Sequence, residues 1–434
     1  MIASLPNELW WKVIDHAISF RSNLGMVEPS LDRLHPFCPG RFPGFDDQDF
    51  YSSQMDIWKR SNMVARKFVQ VNRLWRGIAE RFLYSAFYFD DFDEEWRVQR
   101  FIDTVKLNPN LAKLLRTLVI MPRARIQRGG EFFGPLEQVL GLCHGINAIV
   151  MKPLTSPLPF FHFPNFSRRL RLISAIHLSN KDFHTFMINF NNYTNLQVLE
   201  ISVSSGSGNG HMLSSFPEHI TFPSLHTLVL RTLNRFARKV VRKWELPSLK
   251  ALYTSQWGPD EAPSHPILSL YEKVEFADVP VGLLHDLAFY HLIRAPPVHL
   301  TNVTLSIEFE DESPPTHPAI KLFFSRVVTL GIRNFYLLRL ENQLPWVQFF
   351  ADPTYIPHLR LVSVDMQASV LGVLLRFEKT IEDRGVVFKG MADDDSDSSF
   401  VPVKFPQRDT LEVSMPLLSN ESMLILSPAL KCPP

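Results

Sequence analysis

Cysteine is scarce: the 434 residues contain three, Cys38, Cys143 and Cys432. They lie far apart and form no C-x-x-C. That excludes a disulfide framework and the paired-thiol spacing of a structural zinc site, and it points to a reducing compartment. Long apolar runs are also missing. No stretch reaches the roughly 18 apolar residues of a membrane-crossing helix, and LAFYHLIRAPPV is interrupted by histidine, arginine and two prolines. The opening MIASLPNELWWK has no basic region followed by an apolar run, so no secretory signal is expected. Charge of one sign is lacking as well. Lys+Arg 45 against Asp+Glu 44 leaves a net charge of +1, with no overall electrostatic footprint for nucleic acid or an acidic membrane. The expectation is a protein of the cytoplasm, the nucleus or both, with neither a nucleic-acid nor a membrane partner.

Catalytic signatures are absent too. There is no G-x-S-x-G, H-E-x-x-H, Walker sequence or zinc spacing. The histidines, among them His177, His184, His219, His226 and His291, are scattered without a partner at fixed spacing. SSGSGNGH (204–211) is glycine-rich but lacks the spacing of a phosphate cradle, and reads as a loop between repeats. Glu308, Glu310, Asp311 and Glu312 precede PPTHP and read as a solvated loop. Arg123, Arg125 and Arg128, and the cluster Arg235, Arg238, Lys239, Arg242 and Lys243, read as solvated loop or helix faces. No enzyme, catalytic residue, cofactor or metal is expected.

What is present begins with length. A chain of 434 residues that is 45% apolar exceeds one typical core, so two units are expected. LPNELWWKVIDHA opens with a capping Ser4, a first-turn Pro6, and Leu9, Val13 and Ala17 at helical steps. Residues 20–54 pack prolines, glycines and acids around aromatics and read as a loop. Helical spacing returns at MDIWKRSNMVARKF and runs to about Tyr84. Within it, Val71, Leu74, Trp75, Ile78, Ala79, Phe82 and Leu83 line one face of VNRLWRGIAERFLY. A short strand at Tyr88–Asp91 and a helix near Glu94–Leu107 follow.

Beyond about residue 110 a template, apolar-x-x-apolar-x-apolar, recurs at 115, 146, 173, 196, 225, 271, 300, 327 and 359. LKALYT at 249 fits except for Thr254. The mean step is about 27 residues, near leucine-rich-repeat periods. FPSL, LPSL and IPHL lead into several hits, and helix-like stretches such as FHTFMINF, VGLLHDLAFYHLI, WVQFFAD and ASVLGVLLRFEKTIEDRG lie between them. Two readings stay open, an irregular strand–helix solenoid and an ordinary α/β domain, and the shared lead-ins favour the solenoid. MADDDSDSSF (391–400) reads as a disordered acidic loop.

Leu5-Pro6-Asn7-Glu8-Leu9, with Val71-Asn72-Arg73-Leu74-Trp75 and Leu83-Tyr84, resembles the L-P-x-E-L and V-C-x-x-W…L-Y of F-box proteins. The likeness is to the fungal group with leucine-rich-repeat-like C-terminal regions. Asn72 stands where the family carries Cys, and the insertion at 20–54 departs from the compact module. The resemblance implies an α+β protein in two parts. Residues 1–90 would be a small all-α F-box module, and 91–434 an irregular α/β leucine-rich-repeat-like solenoid. It implies docking of the module on a Skp-family adaptor, and through it on a cullin–RING ubiquitin ligase. The repeats would select an unknown protein substrate. Leu5, Pro6, Leu9, Val13, Val71, Trp75 and Leu83 would form the adaptor-facing or core residues of the module. The alternative is a scaffold that uses the solenoid surface outside any ligase.

Overall fold

The computed structural model describes residues 9–10, 63–90, 95–121, 133–151, 168–203, 219–254, 268–289, 293, 296–307, 309–333, 335–366 and 384–392. Leu5, Pro6, Val13, the 20–54 insertion, the glycine-rich 204–211 stretch and the acidic 393–400 run lie outside these residues. So does most of the helix-like stretch beginning at Ala368.

Helical residues 63–69 are followed by a turn and then by the helix Arg73–Leu83. The helical stretch expected to run to about Tyr84 thus comprises two helices. Asn72 makes the break: its extended backbone and its side-chain oxygen, which accepts the Trp75 N–H at 2.9 Å, start the second helix. Capping of this kind satisfies one of the four N–H groups a helix leaves unpaired at its start.

Ser85 couples this helix to the sheet. Its hydroxyl donates to the Phe82 carbonyl, and its own carbonyl accepts from the N–H groups of Arg116 and Thr117. The strand expected at 88–91 is β1 (Ala86–Asp90), so the sheet already begins within residues 1–90.

The remaining long strands are β2 (Thr117–Met121), β3 (Ala148–Met151), β4 (Leu172–Leu178), β5 (Val198–Val203), β7 (Thr227–Leu233) and β9 (Ala251–Thr254). They continue as β10 (Phe276–Pro280), β11 (Asn302–Ser306), β12 (Thr329–Arg333), β13 (Leu361–Met366) and β14 (Val387–Ala392). Two short strands, β6 (Ile220–Thr221) and β8 (Trp244–Glu245), pair separately.

The twelve long strands lie in one sheet in chain order, and neighbours are parallel throughout. A doubly wound α/β domain reverses its strand order at a switch point and covers both sheet faces with helices. Here the order never reverses. Strand residues such as Leu118, Leu199, Leu252, Val303 and Val362 share one core with residues of the intervening helices, among them Ile102, Phe186, Ala237, Leu284, Phe323 and Trp346. Of the two open readings, the repeat array is the one observed.

The sequence template has a physical meaning in this array. Its first apolar residue closes a turn by donating its N–H to the carbonyl three positions back: Ile146 to Cys143, Leu196 to Tyr193, Leu225 to Phe222, Leu249 to Leu246 and Leu359 to Ile356. Pro in FPSL, LPSL and IPHL occupies the second turn position, where its fixed φ fits. Side chains then tie each turn to the preceding repeat. Asn195 Nδ2 donates to the Arg168 carbonyl, Ser224 Oγ to Thr194 and Ser248 Oγ to Pro223, all at 2.7–2.8 Å.

Pairing corrects two template positions. Leu172 pairs with Ala148 and Val198, so the third repeat opens at Leu170, not Ile173. Phe276 pairs with Ala251, so the repeat placed at 271 opens at Val274. Thr254, the misfit in LKALYT, occupies a core slot with its hydroxyl satisfied by Tyr271 OH at 2.9 Å and the Asp278 carbonyl at 3.1 Å. A buried hydroxyl is tolerated when so paired.

The helices Glu95–Leu107, Asn180–Ile188, Val281–Phe289 and Leu340–Ala351 match the helix-like stretches seen in the sequence. Met391 and Ala392, expected in the acidic loop, instead complete β14. Glu312, expected to be solvated, is buried, and its carbonyl accepts from Trp346 Nε1 at 3.0 Å.

Candidate functional site

Two surfaces compete for the role of functional site, and they are built differently. The first is the N-terminal helical unit. Among the described residues its core holds Ala65, Ile78, Ala79 and Phe82 buried, with Trp10, Phe68, Trp75 and Leu83 packed half-buried around them. Trp75 sits 4.9 Å from the Trp10 ring and 5.1 Å from Phe68, at tilted and edge-on angles that suit aromatic quadrupoles. The apolar stripe of VNRLWRGIAERFLY therefore divides. Its C-terminal half closes this core. At its N-terminal end Val71 and Leu74 are 54% and 40% exposed, and Met63 and Leu9 stand out at 58% and 42%. Of the residues singled out from sequence, Trp75 and Leu83 pack inward and Leu9 and Val71 face solvent. Four large apolar groups exposed on so small a unit leave surface for a partner to cover.

The second surface is the repeat array. The sheet face opposite the helices would be the natural partner-binding face of a solenoid, yet its middle is closed. Thr117, Val119, Val150, Ser174, Glu200, Thr227, Val229, Tyr253, Phe276, Asp278 and Thr304 are all buried. Several polar members of this face are paired with one another, whereas the buried Thr304 hydroxyl has no hydrogen-bond partner among the described residues. Glu200 accepts from Ser174 Oγ and from Arg231 Nε, both at 2.5 Å, and Ser306 Oγ donates to Asp278 at 2.9 Å. Tyr253 and Phe276 pack 5.0 Å apart beside Val229 and Ala251. Buried on both faces, the sheet follows the rule for parallel sheets, and its strand side chains are a core, not a contact surface.

Exposed and half-buried side chains lie instead on the edge where the strands begin. The residue before each strand takes part in a continuous ladder. The Arg116 carbonyl accepts from Asn147 and Ala148, Asn147 from Arg171 and Leu172, Arg171 from Gln197 and Val198, and so on to Val328. This ladder fixes a row of side chains at strand spacing: Arg116, Asn147, Arg171, Gln197, His226, Lys250, then Glu275, Thr301, Val328 and Arg360.

At the first end of the row is a half-open cavity of about 510 Å³ lined by Arg116, His144, Asn147, Arg168, Arg169, Arg171, Asn195, Gln197 and Ser224 with Gly145 and Ile146. Arg116 Nη1 donates to the Gly145 carbonyl at 3.2 Å and Arg169 Nη1 to the His144 carbonyl at 3.1 Å. Gly145 is obligatory here. A Cβ would lie 2.7 Å from the Lys113 carbonyl, 2.8 Å from that of Leu115 and 3.0 Å from the Arg116 guanidinium.

Chemistry elsewhere in the described residues is quiet. Burial pushes the Cys143 thiol up to about 12, which removes it as a nucleophile. Burial raises Asp182, which serves a capping box: it receives the Ser179 hydroxyl at 2.6 Å and donates its N–H back. Burial, with Lys250 nearby, lowers His226. Among the described residues no group of three His, Cys, Asp or Glu could hold a metal ion, and no helix is long and apolar enough to cross a membrane.

Sequence reasoning missed the cavity. Of the basic clusters it singled out, Arg123, Arg125 and Arg128 are outside the described residues, and Arg238 in the helix Arg235–Val241 bonds the Leu233 carbonyl. Reading the second template slot down the repeats would have exposed the row.

No family profile matches the sequence, and no curated protein matches it. Among solved structures the chain is similar to one in the crystal structure of the LRIM1/APL1C complex, at 13% identity and a TM-score of 0.20. That alignment covers 65% of this chain and 61% of the other, a likeness too loose to carry an argument.

Proposed function

We propose that this chain is a non-catalytic adaptor whose N-terminal helices dock on a Skp-type protein and whose repeat array recruits a protein target for a cullin–RING ubiquitin ligase. The observation that carries the reading is the divided stripe. Trp75 and Leu83 pack on the buried Ala65, Ile78, Ala79 and Phe82, while Leu9, Val71, Leu74 and Met63 remain exposed on the same unit. A partner over the exposed apolar groups would stabilise the unit. Asn72, the departure from the family pattern, supports the same helix by capping it.

Val71→Asp/Leu74→Asp tests this directly. Both side chains are exposed, so the variant folds, and capture of the adaptor by the full chain is lost. If the wild-type chain captures no Skp-type adaptor at all, the reading fails. The alternative is a scaffold outside any ligase, supported by a repeat array that is complete without the N-terminal unit. Ubiquitin transfer to a bound partner in a reconstituted ligase separates the two.

A further inference from the structure

The row of side chains ahead of the strands has a chemical direction. Its first six members, Arg116, Asn147, Arg171, Gln197, His226 and Lys250, are all hydrogen-bond donors, and none is acidic. The seventh, Glu275, reverses the sign. Neighbouring parallel strands lie about 4.8 Å apart, so the donor stretch spans about 24 Å, the length of about seven residues of extended chain.

At its first end the turns of separate repeats bring Arg168, Arg169 and His144 beside Arg116 and Arg171 around the 510 Å³ cavity. Among the described lining residues there is no Asp or Glu, and there is no Phe, Tyr or Trp. Arg116 and Arg169 are held by backbone carbonyls, which orient a guanidinium without neutralising it. Planar guanidinium forks match carboxylate and phosphate oxygens in pairs. Asn147, Asn195, Gln197 and Ser224 add neutral polar groups. A nucleic-acid strand would find no Phe, Tyr or Trp on which to stack its bases, only the His144 imidazole and the guanidinium planes. With Ile146 buried, the cavity offers no apolar wall for a greasy ligand.

We infer that this edge, from Arg116 to Lys250, is a docking strip for an extended acidic segment of a partner protein, with the cavity receiving its most highly charged side chains. The inference rests on the reading of the repeats as the recruiting part and names the chemistry of what they recruit. Recognition is by oxyanions, carboxylate or phosphate, aligned along an extended chain.

The test uses the full chain and fluorescent peptides in an anisotropy titration. An Asp/Glu-rich peptide, the same peptide with phosphoserine in place of two acids, a Lys-rich control and a single-stranded RNA are compared. Either acidic peptide binds, and the tighter of the two identifies the oxyanion source. Binding weakens as salt is raised. Arg168→Glu/Arg169→Glu weakens it about tenfold or more. Glu275→Lys lengthens the basic row and tightens binding about threefold. Unfolding curves confirm that the arginine variant remains folded, as its exposed side chains allow.

Absence of binding by both acidic peptides at low salt overturns the inference. Equal binding of the Lys-rich control, tighter binding of the RNA, or affinity unchanged in both variants does the same. Adaptor capture is measured on the same preparations. Its loss without loss of peptide binding removes the ligase reading and leaves the strip, and the reverse result removes the strip alone.

Discussion

The N-terminal helical unit and the repeat array solve the same problem, burying apolar surface, with opposite degrees of completeness. The array runs one core from Phe87 to Val386 and closes both faces through the middle of its sheet. The helical unit keeps a separate core, with four buried residues among those described, and leaves Leu9, Met63, Val71 and Leu74 in solvent. Each repeat is completed by its neighbours, whereas among the described residues the helices leave apolar groups uncovered. The unit that is incomplete by itself is the one expected to need a partner. The complete one is free to use its polar edge for recognition.

Large core deletions test that division most severely. Trp346 is fully buried among Phe349 and Phe350, and Phe82 is buried in the helical unit. Either residue changed to Ala is expected to lose about 3–5 kcal/mol of the stability of its own unit. Urea unfolding followed by hydrogen exchange reads the two separately. Phe82→Ala opens 63–83 while the strands stay protected, and Trp346→Ala does the converse. If both variants open both regions equally, the two cores are one cooperative unit and the comparison breaks.

Next in size is the ion pair inside the sheet. Arg231 and Glu200 are about nine-tenths buried side chain to side chain. Arg231→Met leaves Glu200 without its cation and costs about 3 kcal/mol, whereas Arg231→Met with Glu200→Gln recovers much of that loss. Equilibrium unfolding of the two variants checks it. A loss below about 1 kcal/mol for the single change would show that this face is wet.

A smaller effect sharpens the helical side. Asn72→Ala removes the cap on Arg73–Leu83 and is expected to cost about 1 kcal/mol, confined to exchange within that helix. Asn72→Ser retains most of the stability.

The smallest effect is a pH dependence. His226 titrates below its usual 6.5 because burial and Lys250 disfavour its charged form. The unfolded chain therefore binds a proton more readily than the folded one. Stability is full above about 6.5 and falls as pH drops through that value towards the lower folded one. Thermal unfolding between pH 7.5 and 5 on the order of those bounds should show a decline that His226→Gln reduces.

The repeat rhythm was legible because each repeat needs the same three core slots and the same turn. Pro in FPSL, LPSL and IPHL announced the turns from composition alone. The two slips of three residues have a common physical cause. LRLISAIHL satisfies the apolar template twice, from Leu170 and from Ile173, and only backbone pairing chooses between them. In YEKVEFADV the true slots hold Val274, Ala277 and Val279, and the small Ala277 gives a weak signal beside Tyr271 and Phe276.

In the helical unit the stripe was legible but its division was not, because periodicity marks a face without saying how far along it the neighbours reach. The basic edge escaped because its charge is assembled across repeats. Arg116 and Arg171 are 55 positions apart in the chain, yet β3 alone separates their strands.

Hydrogen exchange of the full chain with and without a Skp-type adaptor tests the central claim most directly. Complex formation should slow exchange within 63–84, leave β2 to β13 unchanged, and vanish in Val71→Asp/Leu74→Asp. Protection in the strands with none in 63–84, or no complex with the wild-type chain, would contradict it.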